Sequence, residues 1–213
     1  MTALQSRELL DALKRAAAAL RGAQIPFAVG GGLAAWARGG PPTEHDIDLL
    51  IREDDARRAL DACAAAGMRT EVPPEGWLVK AWDGEILVDL IFRPTGSIVD
   101  DGLFDRCEVL NVQAVRMSVL PVDDILATKL LALTEHNLDY GPVLEYARSL
   151  REQIDWETLR RRTDGSPFAR AFFTLVEQLG VWHGDAARAA GAAEALHAAD
   201  ASAAEAADQP ADG

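Results

Sequence analysis

A chain of 213 residues, 49% hydrophobic and 26% charged, has the makeup of an ordinary globular protein long enough to bury a proper core. A formal net charge of −13 argues against general binding to DNA or other long nucleic acid, which calls for a broad basic surface. No run approaches the ~20 apolar residues of a membrane helix, no secretory pattern opens the chain, and Cys63 and Cys107 lack metal-like spacing, so a cytoplasmic protein without disulfides or zinc is expected.

Residues 3–21 place Leu9, Leu13, Ala16 and Leu20 on one stripe, which predicts an opening helix with Thr2 and Gln5 as its capping box. Residues 25–29 read as a short strand, Gly30-Gly31-Gly32 as a tight turn, and residues 33–38 as a helix closed by Gly39 and Gly40. Glycines at such a turn let backbone approach a ligand closely, and a helix start favours phosphate. The run 44–51 follows as a strand, so Asp46 and Asp48 point the same way, close enough to share metal ions.

A helix over 53–66, ended by Gly67, leads to strands near 68–71, 77–82 and 85–92, with Asp83-Gly84 as a hairpin turn. In the last of these Asp89 is the one charge amid apolar residues. An ionised carboxylate buried alone is costly. If this strand lies beside the one carrying Asp46 and Asp48, three acids converge and a divalent cation supplies the missing charge. Short strands near 108–112 and 114–120 complete the sheet.

From Pro121 onward only helices are expected. The stretch 125–133 is apolar nearly all round, with Lys129 its sole charge, suited to a phosphate or to a structural partner such as Asp139. A helix over 155–162 is capped by Asp155, and one over 167–179 has Ser166 as cap, Pro167 as first residue and Gly180 as stop. The five tryptophans read as core packing. Arg148, Arg151, Arg160, Arg161, Arg162 and Arg170 read as a solvated face, with an acceptor's phosphates as the alternative. Residues 185–213 carry six acids against one arginine and lack large apolar residues except Leu196, which predicts a frayed helix and then a disordered tail.

Across residues 29–51, the Gly31-Gly32 pair, the short helix closed by Gly39 and the Asp46/Asp48 strand, followed by Asp89, resemble the signature of the DNA polymerase β-like nucleotidyltransferase superfamily. The branch it resembles most is that of AbiEii-type toxins from toxin–antitoxin pairs. That resemblance implies an α+β fold, a nucleotidyltransferase-type mixed β-sheet flanked by helices, with a catalytic core over 1–120, a helical subdomain over 121–184 completing the site, and an acidic tail over 185–213. It implies metal-dependent transfer of a nucleoside monophosphate from a nucleoside triphosphate to a hydroxyl. Asp46, Asp48 and Asp89 would be the catalytic acids holding two Mg2+ ions, with Mn2+ as a substitute. Gly31, Gly32, Thr43 and Lys129 would contact the nucleotide, and Asp139 matches an acid that follows the lysine. The implied acceptor is a tRNA end or a protein, with a cognate antitoxin as partner. An aminoglycoside-type small molecule is the alternative acceptor, and a non-catalytic nucleotide-binding module the rival role. One departure stands out: Glu44 occupies the position where the branch often has Ser or Thr.

Overall fold

The computed structural model describes residues 3–43, 46–112 and 115–184. Seven strands, β1 (Phe27–Val29), β2 (Asp46–Ile51), β3 (Arg69–Glu71), β4 (Leu78–Asp83), β5 (Ile86–Ile91), β6 (Glu108–Val112) and β7 (Val115–Val119), form one sheet in the order β3-β4-β5-β2-β1-β7-β6. The sheet is mixed: β2 runs parallel to β5 and β1 parallel to β7, and the other pairs are antiparallel. The helices are α1 (Ala3–Gly22), α2 (Gly31–Ala37), α3 (Ala56–Ala65), α4 (Asp101–Arg106), α5 (Val122–Leu131), α6 (Gly141–Ser149), α7 (Trp156–Thr163) and α8 (Pro167–Gln178). The class is α+β, as expected. No helix among the described residues is long and apolar enough to cross a membrane.

The alternation of β2 explains how the layers form. Ile47, Leu49 and Ile51 are fully buried with Val88 and Leu90 of β5, on the sheet face that α1 and α3 cover. Asp46, Asp48 and Leu50 alternate onto the opposite face, where α2 and α5 pack. The α1 stripe of Leu9, Leu13, Ala16 and Leu20 is buried, and α8 has its expected cap, Ser166 Oγ accepting from Ala169 N at 3.2 Å.

Several boundaries differ from expectation for local reasons. α2 begins on the glycines themselves, because the Gly30 carbonyl already accepts from Ala34 N at 2.9 Å. The predicted 53–66 helix opens with a 3₁₀ turn, Glu53–Asp55. The β4–β5 hairpin pairs Asp83 with Ile86, so its turn residues are Gly84 and Glu85, with Gly84 at φ +61°. α4 was not anticipated; its six residues are too few for periodicity to show, and the Asp100 cap, accepting from Leu103 N, was its one sequence signal. Thr2, Glu44, His45 and the 185–213 segment lie outside the described residues.

The helical half is tied to the sheet half through Asp124 on α5, which is buried. Arg106 of α4 donates to both its oxygens, at 3.0 and 3.3 Å, and Arg162 of α7 donates to Oδ1 at 2.7 Å. Arg162 thus leaves the solvated face assigned to it, while Arg148, Arg151, Arg160, Arg161 and Arg170 are exposed. Truncating a buried carboxylate strands its partners' charges. Because both arginines keep some solvent contact, Asp124→Ala is expected to cost about 2–3 kcal/mol in urea denaturation, with a smaller loss for Arg162→Ala.

Candidate active site

Parallel pairing sets Asp48 directly beside Asp89, Asp46 beside Leu87 and Leu50 beside Ile91. Asp46, Asp48 and Asp89 therefore share one face, and one carboxylate oxygen from each lies within 4.8 Å of the others. Gly31 closes the site from the β1–α2 turn. Its backbone has φ +53°, and a Cβ there would stand 1.6 Å from Asp48 Oδ2. Only glycine permits that approach.

Three carboxylates this close repel one another. Burial, with Asp46 and Asp89 adding to it, pushes the Asp48 carboxyl from an ordinary 3.8 up to about 7, against the lowering effect of Lys129. Asp89 is also raised, chiefly by burial, although Lys80 opposes the shift. Asp89 Oδ1 is buried without a hydrogen-bond partner among the described residues. Clustered carboxylates with an orphaned buried oxygen are a donor set that suits a divalent cation.

This sets an expected pH dependence. Asp48 binds its proton more tightly in the folded chain, near 7, than in the unfolded one, near 3.8. Metal-free stability is thus greatest below the lower value and falls as pH rises towards the higher, by up to ~1.4 kcal/mol per pH unit. A divalent cation held by the ionised trio would reverse the loss. Thermal melts are expected to show Mg2+ raising Tm by several degrees at about pH 8 and scarcely at about pH 5.

Around the acids stand groups from both halves of the chain. Lys129 of α5 is half-buried, with Nζ 5.4 Å from the centroid of the Tyr146 ring on α6. A Cβ on Gly32 would meet Thr43 Oγ1 at 2.6 Å and the Tyr146 hydroxyl at 3.4 Å, so Gly32, Thr43 and Tyr146 form one corner. Asp139 is exposed, and its Oδ1 accepts from Gly141 N at 2.8 Å at the start of α6. The structure thus gathers Asp46, Asp48, Asp89, Gly31, Gly32, Thr43 and Lys129, and gives Asp139 a turn-forming role.

Sequence reasoning missed three residues. Lys80 is paired in register with Asp89 across the hairpin, and its signal was present: one cation in the apolar run of β4. Tyr146, on α6, was not singled out in the sequence, and neither was the helix that carries it. Trp77, assigned to core packing, is instead 41% exposed and lines a cavity of about 420 Å³ together with Gly31, Asp48, Lys129, Leu50 and Ile91.

Residues 12–90, which include all three acids and both glycines, match the family model described as aminoglycoside-2''-adenylyltransferase. The solution structure of the antibiotic-resistance factor ANT(2'')-Ia is similar with a TM-score of 0.58 at 15% identity, covering 84% of this chain and 100% of that one. The crystal structure of ANT(2'')-Ia in complex with adenylyl-2''-tobramycin is similar with a TM-score of 0.57 at 14% identity, covering 78% and 99%. No curated protein matches the chain. The family match covers residues 12–90, and the structural likeness gives the chain the fold of these nucleotidyltransferases.

Proposed function

We propose that the protein transfers a nucleotidyl group from a nucleoside triphosphate to a hydroxyl acceptor and releases pyrophosphate. The observation that carries this reading is the meeting of three carboxylates from two adjacent strands within 4.8 Å, against a glycine turn. Asp46, Asp48 and Asp89 would hold the divalent ions, Mg2+ with Mn2+ as a substitute, and bound there the ions would supply positive charge for phosphoryl transfer. Gly31 and Gly32 let the triphosphate lie against backbone. Lys129, seated over the Tyr146 ring, faces the charge that grows on the leaving pyrophosphate. Asp89, with its unpartnered Oδ1, takes the proton of the acceptor hydroxyl as that oxygen bonds to the α-phosphorus and the bond to the β-phosphate oxygen breaks.

For the acceptor, a cationic small molecule of the aminoglycoside class is the reading we carry. The family model is named for such an acceptor, and a net charge of −13 suits a cation better than a tRNA end. The toxin-like role, with a tRNA or protein acceptor and a cognate antitoxin, rests on the sequence resemblance alone. Incubation with each labelled triphosphate, Mg2+ and either an aminoglycoside panel, total RNA or total protein separates the two. Label is expected on an aminoglycoside, with pyrophosphate released and the reaction stopped by a chelator. Label on RNA or protein instead would overturn the acceptor, and no transfer to any class would overturn the reaction.

A further inference from the structure

We infer that the cavity beside the acids receives the nucleobase of the triphosphate and recognises it by stacking on Trp77, with little discrimination among bases. This rests on the nucleotidyl-transfer reading. The cavity is lined in part by Gly31, Asp48 and Lys129, where the triphosphate is proposed to lie. Leu50 and Ile91, paired with each other, continue it two residues beyond Asp48 and Asp89 on the same face. That is about 7 Å along the strands, a stretch a ribose can bridge.

Trp77 lines the same cavity. Its carbonyl accepts from both Phe92 N and Arg93 N at 3.1 Å, which fixes its backbone against the end of β5, and the residue is partly exposed. A partly exposed indole among apolar lining residues is a stacking platform for a flat ring, whatever base that ring belongs to.

The polar groups nearby are already engaged. Thr128 Oγ1 donates to the Asp124 carbonyl at 3.0 Å, and the Arg93 guanidinium is paired with Glu53. Strong choice between bases requires buried donors and acceptors that go unsatisfied with the wrong one. Here Thr95 is the main side chain left to meet a base edge. A polycationic acceptor has little to bind on this wall. The carboxylates that suit it, Asp46, Asp89 and the nearby Glu75, stand outside the cavity lining.

Calorimetric titration of the full chain with ATP, GTP, CTP, UTP and inorganic tripolyphosphate, each with Mg2+, tests the inference without requiring turnover. The four nucleotides are expected to bind within about tenfold of one another, purines tighter, because stacking strength is what separates them. Trp77→Ala should weaken all four by about 5- to 150-fold and leave tripolyphosphate binding unchanged. Trp77→Phe should recover most of the loss, which excludes a folding defect. Nucleotide affinity unmoved in Trp77→Ala, or one base preferred by more than ~100-fold, would overturn the inference. A chain that binds nucleotides through Trp77 yet transfers nothing would sink the transfer reading and leave the base site standing. Nucleotide binding with no Trp77 dependence, in a chain that still transfers, would do the reverse.

Discussion

Asp48→Asn is expected to lower nucleotidyl transfer by about 10³-fold or more, ~4 kcal/mol of barrier, while leaving the metal-free protein as stable as the native chain or more so. The two effects share a cause. Asp48 lies between Asp46 and Asp89 and is held near a pKa of about 7 by burial and by both neighbours. Removing its charge relieves that repulsion and, with it, the reason for the site to attract a cation. Assays with labelled triphosphate, paired with thermal melts in chelator and in Mg2+, read both halves. The variant should melt at or above the native temperature in chelator and gain little from Mg2+. Full transfer activity would remove the basis of the proposed mechanism, and a large drop in metal-free Tm would mean that the carboxylate is a structural partner.

Gly31→Ala is expected to be nearly as damaging by another route. The added Cβ requires an alanine at φ +53° and falls 1.6 Å from Asp48 Oδ2 and 2.7 Å from its Cγ. The backbone alone costs ~1–2 kcal/mol. The carboxylate has to move, and a shift of about 1 Å at a reacting centre can cost ~10²-fold in rate. Gly165→Ala is the control, since a Cβ there meets nothing within 4 Å. The expected result is transfer reduced by about 10²-fold and a lowered urea midpoint for Gly31→Ala, with neither effect for Gly165→Ala. Native activity in Gly31→Ala would show that the turn does not position Asp48.

Much of this arrangement could be read from the chain because it is written in short-range patterns. Alternation put Asp46 and Asp48 on one face of β2, and a lone acid in the apolar run of β5 marked Asp89. Ser166, Pro167 and Gly180 marked the ends of α8. Lys80 was equally legible by the rule that found Asp89, since the hairpin turn at Gly84 and Glu85 fixes which residues face each other. Tyr146 was not legible. Its approach to Gly32 depends on how α6 lies against α5 and α2, and no local pattern encodes that contact. Trp77 was misread for a related reason. An indole is buried or exposed according to what the chain does elsewhere, and here Trp77 shares a cavity lining with Arg93, Pro94 and Thr95, residues that follow β5.

Helix α5 joins two requirements in one rigid body. Asp124, gripped by arginines from α4 and α7, and Lys129, beside Asp48, are five residues apart, about 7.5 Å along the helix axis. A slackened grip at one end tilts the ammonium at the other. On the proposed reading, Arg106 and Arg162 help to seat Lys129 without meeting a reactant themselves, so chemistry proposed for the sheet depends on packing in the helical half.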